Sequence, residues 1–260
     1  MPKQISMPAR PGRVAAGAVA AAFMAAAVSA CGASYPVTSP VKARGAAPKS
    51  AKVAGGSVDC RKATCVALTF DAGPSKYTPK LLDVLKQHGA HATFMMLGKN
   101  HVMKFPDTVR EIAADGNELG NHTWTHQILT DIKPAEARKE MSLTQDAVQR
   151  ITGRKPVLMR PPQGRTNEDV SGVAKDLGLS QVLWSVTAKD YKTTDSALIQ
   201  KRVLDQTHRD GIILLHDIYP GTVPAVPGIL DALKKRGYTV VTVSQLLAPA
   251  KPEPGMVYRP

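Results

Sequence analysis

Short apolar runs alternate with amphipathic stretches along most of the chain. Seven of these runs predict strands by their length and their β-branched and large apolar residues: 65–70, 92–97, 117–122, 156–160, 181–186, 212–217 and 239–243. Six stretches between them repeat apolar residues at helical spacing: 78–89, 107–116, 134–153, 167–178, 196–211 and 226–237. The alternation predicts an α/β fold, with a parallel sheet and helices outside it. Seven strands favour a closed or nearly closed barrel over a doubly wound sheet, although periodicity alone does not decide between them.

The first thirty residues have the pattern of an export signal. Three basic residues, Lys3, Arg10 and Arg13, precede an apolar run over 14–30, and no acidic residue occurs before position 31. This arrangement is typical of a secretory signal peptide. The run ends in VSAC (28–31), which is similar to a bacterial lipobox, so we expect Cys31 to be lipidated. The alternative is an ordinary signal cut near Ala30. Either way we expect an exported protein, on the outer face of the membrane or secreted.

The net charge of +13 is concentrated outside the predicted folded part. The signal (1–30) contributes +3, a predicted flexible linker (31–56) contributes +4, and a tail (250–260) contributes +1. Only +5 remains for the predicted domain, 57–249, which weakens a nucleic-acid function. A basic linker on an exported protein suits an anionic cell envelope.

Two cysteines remain when Cys31 is set aside. Cys60 and Cys65 lie in DCRKATC, just before the first predicted strand. In an oxidising compartment such a pair predicts a disulfide that closes a small loop. The alternative, a metal pair, would need two further thiols or histidines nearby in the sequence.

Ionisable side chains follow five of the predicted strands. In a parallel α/β fold the carboxyl ends of the strands share one rim, where chemistry gathers. His122 and His126 would share one face of a helical turn and suit a zinc-type site, although HxxxH alone is common. No glutamate follows His122, which excludes the zincin pattern. The residues at the rim are Asp71, His122, His126, Arg160, Asp190, Tyr191, His216 and Asp217.

Single residues in this set have simpler explanations. Asp71 could cap the next turn, and His216 could be a hydrogen-bonded core histidine. Jointly these explanations are improbable, because five separate strands contribute. The remaining histidines lie away from strand ends and are interpreted as solvated surface: His88, His91, His101 and His208.

Five segments together resemble the motifs of the polysaccharide deacetylases, the NodB-like family 4 carbohydrate esterases. These are TFDAGP, HTWTH, RPPQG, WSVTAKDY and LLH, in this order along the chain. The resemblance covers roughly 60–247 and implies a distorted (β/α) barrel. It also implies metal-dependent removal of acetyl groups from N-acetylated or O-acetylated polysaccharides.

The resemblance implies a role for each matching residue. Asp71 corresponds to the catalytic base and Arg160 to the arginine that orients it. His216 corresponds to the catalytic acid, which Asp190 orients and tunes. His122 and His126 correspond to ligands of a divalent metal, expected to be zinc, with cobalt or another ion possible. Three residues correspond to oxyanion-stabilising or substrate-binding positions: Gln163 (through its backbone N–H), Tyr191 and Trp184.

The sequence departs from the family pattern at three positions. Ala72 stands where the family usually has a third metal ligand, an aspartate. Gln163 replaces an aromatic residue and Tyr191 replaces a tryptophan. Loss of the carboxylate weakens the metal site, so a working enzyme with a modified site, a slow enzyme needing high metal and a non-catalytic glycan-binding protein all remain open. We favour activity, because the base, the acid, both orienting residues and both histidines are present.

The predicted function is therefore hydrolysis of N-acetyl groups on extracellular amino-sugar glycans, of the peptidoglycan or chitin type. The alternatives are a weakly active or non-catalytic cell-wall binding protein and an O-acetyl xylan esterase. We expect a cell-wall polysaccharide as partner, a membrane contact through the lipid anchor, no nucleic acid, and a monomer.

Overall fold

The computed structural model describes residues 35–48, 50–53 and 58–260. The predicted signal, its cleavage region and Cys31 lie outside these residues. The strands are β1 (Val37–Thr38), β2 (Cys65–Asp71), β3 (Thr93–Met96), β4 (Glu118–Asn121), β5 (Leu158–Met159), β6 (Ser180–Val182), β7 (Val186–Thr187), β8 (Ile212–His216), β9 (Thr239–Val241) and β10 (Val257–Tyr258).

Eight α-helices accompany these strands in the described ranges. They are α1 (Pro40–Ala46), α2 (Thr78–Gln87), α3 (Pro106–Ala114), α4 (Pro134–Thr152), α5 (Glu168–Asp176), α6 (Ser196–Gln206), α7 (Thr222–Lys235) and α8 (Val243–Leu247). A π-turn covers Gly98–Val102, and 3-10 turns cover Leu129–Asp131, Pro162–Gly164 and Asp190–Lys192. All six predicted helices are present, with ends shifted by a few residues.

The strands form one curled, parallel sheet. Their order is β1-β10-β6-β5-β4-β3-β2-β8-β7, with β9 also paired to β2, and every pairing is parallel. The predicted strand 181–186 is divided between β6 and β7, which pair near opposite ends of this order. Only Leu183–Ser185 connect β6 to β7, and an extended chain spans at most about 3.6 Å per residue. The two ends of the strand order therefore lie close together. This arrangement confirms the distorted (β/α) barrel.

Alternate residues of β2 face different environments, as a strand requires. Val66, Leu68 and Phe70 pack towards the surrounding helices in the main hydrophobic core. Cys65 and Ala67 belong to the smaller interior cluster, so Asp71 lies on the interior face of the sheet. The strand therefore delivers the carboxylate into the mouth of the barrel.

Part of the predicted linker and the predicted tail is regular structure. The tail contributes β10, which pairs with both β6 and β1. Arg44 of α1 is buried, and its guanidinium donates to the Asp210 carboxylate at 2.8 Å and to the Leu246 carbonyl at 2.7 Å. The flexible-linker interpretation therefore fails for 37–46, because this long-range pair anchors the segment against the barrel.

Two other local predictions have clear outcomes. Cys60 and Cys65 form the predicted disulfide. The predicted strand 239–243 ends at Val241, because Thr242 and Gln245 form a capping box that starts α8. Among the described helices, none is both long and apolar enough to cross a membrane.

Candidate active site

A buried ion pair holds the carboxylate at the end of β2. Asp71 is 2% exposed, and its Oδ1 accepts a hydrogen bond from Arg160 Nη1 at 2.6 Å. Arg160 follows β5 and is completely buried; it also donates to the Thr69 hydroxyl and, through Nε, to the Val182 carbonyl. Because Arg160 donates to Oδ1, the second carboxylate oxygen of Asp71, Oδ2, takes no part in this ion pair.

His216 lies beside Asp71 on the neighbouring strand. The two residues are register partners in the parallel pairing of β2 with β8. His216 Nδ1 lies 2.8 Å from Asp190 Oδ1, and the His216 backbone N–H donates to Asp190 Oδ2 at 2.7 Å. The Thr222 hydroxyl also donates to Oδ2, so the Asp190 carboxylate is fixed from three directions. With Nδ1–H pointing at Asp190, His216 Nε2 is the nitrogen left for chemistry.

Burial and Asp190 act in opposite directions on His216. Burial lowers the pKa of the imidazole, whereas the hydrogen bond and the negative charge of Asp190 raise it, and the net pKa is raised above the ordinary histidine value. The protonated imidazolium therefore persists to higher pH than for a free histidine.

His122 and His126 converge through a loop rather than a helical turn. Their Nε2 atoms are 3.2 Å apart, although the chain after β4 is irregular. Thr123 and His126 adopt φ values of 70° and 67°, which turn the chain sharply. The predicted helical placement is wrong, but the predicted convergence is present.

Glu140 holds this loop and was missed by the sequence analysis. It is buried on α4, and its carboxylate accepts the backbone N–H groups of Trp124 and Thr125 and the Thr125 hydroxyl. An acidic residue between Ala137 and Met141 on the apolar face of a helix was the available signal. Such a residue usually has a specific partner when it is buried.

The two imidazoles have the chemistry of metal ligands. Burial lowers the pKa of His122 to about 4, and it also lowers the pKa of His126, so both rings are neutral at neutral pH. His122 Nδ1 faces the Arg160 carbonyl at 2.8 Å, which leaves its Nε2 lone pair towards His126. Two nitrogens bound tetrahedrally to zinc would be separated by about 3.3 Å, close to the observed distance.

Among the described residues, this pair of histidines has no third protein ligand. No three His, Cys, Asp or Glu side chains within the described ranges form a group able to hold a metal. Ala72 lines the same cavity in a left-handed conformation, with φ of 65°. Asp71 Oδ2 lies 3.9 Å from His122 Nε2. The residues therefore fit a divalent ion held by two histidines, with fewer protein ligands than a closed site.

These groups line one cavity of about 610 Å³ at the mouth of the barrel. Gln163, Trp184 and Tyr191 are all on its wall, as the sequence analysis placed them. His101 was interpreted as surface, but it lines the cavity and lies 3.0 Å from the Pro74 carbonyl through Nδ1. The complete lining is Asp71, Ala72, Leu97, His101, His122, His126, Pro161, Gln163, Trp184, Tyr191, Leu214, His216, Ile218 and Tyr219.

Asp217 links the loop after Asp71 to the end of β8. Its carboxylate accepts the Thr78 hydroxyl, and its backbone carbonyl accepts the Ser75 hydroxyl at 2.5 Å. The other carboxylate oxygen lies where a side chain on Gly73 would be, only 2.2 Å from an ideal Cβ. Only glycine therefore fits at position 73, and the buried Asp217 fixes the loop that follows Asp71.

The comparisons with known proteins agree with this geometry. A model of the family described as polysaccharide deacetylase matches residues 59–182. A peptidoglycan-N-acetylglucosamine deacetylase of Bacillus cereus is 37% identical over 191 residues, which cover 72% of this chain and 69% of that protein. The chain belongs to the polysaccharide deacetylase family.

Other members of the polysaccharide deacetylase family extend the comparison. The peptidoglycan-N-acetylmuramic acid deacetylase PdaC of Bacillus subtilis is 40% identical over 182 residues, or 70% of this chain. The chain spans only 38% of that relative's length. A solved structure described as T48 deacetylase with substrate has a TM-score of 0.74 and 37% identity, covering 78% of this chain and 100% of that one.

The buried carboxyl group of Asp217 should make the stability of the fold depend on pH. Burial raises its pKa from 3.8 to about 6, so its contribution to stability is fully present below about pH 4 and is lost as the pH rises through about 6. The full loss corresponds to roughly 3 kcal/mol. In Asp217→Asn the free energy of unfolding should no longer fall by this amount between pH 4 and pH 7.5. Urea unfolding at the two pH values measures it.

Asp146→Asn, at an exposed carboxylate of α4, is the control for the Asp217 variant and should behave as the wild type. An Asp217→Asn variant with the wild-type pH dependence would contradict the assignment of this titration to Asp217.

Proposed function

We propose that this protein is an exported, divalent-metal-dependent deacetylase that hydrolyses N-acetyl groups on the amino sugars of cell-wall glycan. The observation that carries the proposal is the register pairing of Asp71 with His216, each held by its own buried partner, beside two neutral histidines. One cavity thus contains the proposed base, the proposed acid and the proposed pair of metal ligands. The family relatives named above, which act on peptidoglycan, support the choice of substrate.

Asp71 is proposed to act as the general base. Arg160 keeps Oδ1 occupied, so Oδ2 is the oxygen that takes the proton of the attacking water. Hydrolysis places the water oxygen on the acetyl carbonyl carbon, breaks the C–N bond and releases acetate and a free amine. A divalent ion held by His122 and His126 would supply Lewis-acid activation of water and of the acetamide carbonyl. Gln163 is proposed to donate its backbone N–H to the oxyanion.

His216 is proposed to act as the general acid. Asp190 fixes its tautomer and keeps Nε2 on the cavity side, where it donates a proton to the leaving nitrogen. Tyr191 packs edge-on against the imidazole with ring centroids 5.9 Å apart, and Tyr219 does so at 5.5 Å. These rings limit the position of His216 and form an apolar wall for the acetyl methyl group.

Acetate release tests the proposed function. The purified domain is incubated with peptidoglycan, N-acetylglucosamine oligomers and acetylated xylan, each with zinc or cobalt added and with a chelator. We expect release from the amino-sugar glycans that depends on metal. Release from xylan alone would identify an esterase instead.

A glycan-binding protein without turnover is the second candidate. Ala72 favours it, because the two-histidine pair has no third protein ligand in the part of the chain that the structure describes. Binding of peptidoglycan without acetate release at any metal concentration would establish this alternative and overturn the enzymatic one.

Replacing Asp190 tests the assignment of His216 as the acid. Asp190 raises the pKa of His216 against the opposing effect of burial, so Asp190→Asn should lower it. Since the protonated imidazole is the active form, the alkaline limb of the kcat–pH profile should move to lower pH. The measurement is kcat for acetate release between pH 5 and 10. An alkaline limb that does not move would assign it to another group.

A further inference from the structure

The C-terminal segment brings a basic side chain to the rim of the barrel. β10 lies between β1 and β6, and Tyr258 within it is buried. The Leu183 N–H donates to the Tyr258 carbonyl, and the Arg259 N–H donates to the Thr38 carbonyl. Because the strands are parallel, Arg259 emerges at the same edge of the sheet as Trp184, which follows β6.

Arg259 borders a second pocket that adjoins the catalytic cavity. This pocket has a volume of about 370 Å³, within the roughly 300–1,000 Å³ of small-molecule sites. Its lining consists of Gln163, Gly164, Leu183, Trp184, Arg259 and Pro260. Gln163 and Trp184 line both spaces, so the two spaces adjoin on this side of the barrel mouth.

The Trp184 side chain lies between the two spaces and is packed against Arg160 and Gly164. The Arg160 guanidinium carbon lies 5.6 Å from the centre of the indole ring. Gly164 packs so closely that an ideal Cβ there would lie 2.9 Å from the ring edge. A flat aromatic surface at this point suits the apolar face of a sugar ring, and Arg259 lines the same pocket as Trp184.

The second pocket is positively charged. Arg259 is exposed, and it forms no salt bridge with any residue in the described part of the chain. No Asp or Glu is among the pocket's lining residues. A guanidinium without a carboxylate partner next to a sugar-binding surface complements an anionic substituent.

We propose that the Arg259 pocket is a subsite for an acidic substituent on the sugar next to the one that is deacetylated. This inference rests on the proposed function and makes it more specific. Glycans whose neighbouring sugar carries a free lactyl carboxylate, as in peptide-free peptidoglycan, fit the subsite, whereas uncharged chitin-type chains leave Arg259 without a partner. Arg259 is thus a specificity-determining residue rather than a catalytic one.

Two matched tetrasaccharides test the Arg259 subsite. One is the peptide-free peptidoglycan tetrasaccharide with free lactyl carboxylates, and the other carries the same lactyl groups as neutral methylamides. The wild-type kcat/KM should be about threefold to fivefold higher for the acidic form, the size expected for an exposed ion pair. The ratio should approach one in Arg259→Gln and persist partly in Arg259→Lys.

The control is Arg150→Gln, which removes an exposed arginine of α4 and should keep both the wild-type activity and the wild-type ratio. Salt at 0.5 M should reduce the preference, because exposed charges are screened. Equal kcat/KM for the two forms in the wild type, or a preference that survives in Arg259→Gln, would overturn the inference.

The dissociation constants of both tetrasaccharides are measured by calorimetry alongside the kinetics. If no acetate is released, the proposed function fails, but the ratio of dissociation constants in the wild type and Arg259→Gln still decides for or against the acidic subsite. The two failures are therefore distinguishable.

Discussion

His216→Ala should lower kcat for acetate release by about two to four orders of magnitude, the usual contribution of a positioned general acid. The physical reason is that the leaving amine would depart without a proton, because Asp190 is turned towards the backbone and Thr222 and cannot replace the imidazole. The zinc content of the purified variant should equal that of the wild type, since His122 and His126 are the proposed ligands. Metal analysis measures the zinc content, and steady-state kinetics on N-acetylglucosamine oligomers measure kcat.

A second histidine provides the matched control. His208 is exposed and lies outside the cavity, so His208→Ala should retain both kcat and zinc content. Circular dichroism and thermal unfolding show whether His216→Ala remains folded. A variant that is folded but has lost its zinc would reassign His216 as a metal ligand.

Ala72→Asp should tighten zinc binding by about tenfold or more, a change of at least ~1.4 kcal/mol. The new carboxylate would be on the wall of the cavity that contains His122 and His126. The backbone at this position already has φ of 65°, a conformation that aspartate adopts more readily than alanine. The substitution therefore adds a ligand without adding backbone strain. Competition with a chromogenic chelator measures the dissociation constant.

Ala72→Asn is the control for charge, because it has nearly the same shape and conformational preference as the aspartate variant. It should tighten zinc binding far less, since a neutral amide oxygen is a weaker ligand than a carboxylate. If Ala72→Asp and the wild type bind zinc equally well, position 72 does not face the ion. At limiting zinc, Ala72→Asp should also release acetate faster than the wild type.

The rim residues could be predicted from the sequence because one rule governs them all. Asp71 and His216 end separate apolar runs, and parallel strands bring all their carboxyl ends to one edge of the sheet. Arg160 and Asp190 follow the same rule. Asp71 and His216 line one cavity, with Arg160 and Asp190 buried directly behind them, and these places depend on strand position, which the alternating pattern predicts.

The approach of His122 to His126 was predicted for the wrong reason. A spacing of four residues suggested a helical turn, whereas the structure uses two left-handed residues and the buried Glu140. Left-handed conformations of Thr123 and His126 have no local signal in the sequence, because neither residue is glycine. The loop is stabilised by α4, whose glutamate lies fourteen residues away from His126.

The sequence by itself predicted a parallel sheet with outer helices and the set of rim residues, because these follow from local periodicity and strand ends. The barrel was implied by the family resemblance, and the disulfide was predicted from the spacing of Cys60 and Cys65 in a chain expected to be exported. Only the tertiary structure decided how the set is held: the Asp217 contact with Gly73, the division of 181–186 between β6 and β7, and the anchoring of Arg44 and β10. The physical reason is the same in each case. These features depend on contacts between segments remote in the chain, and such contacts leave no periodic pattern in either partner.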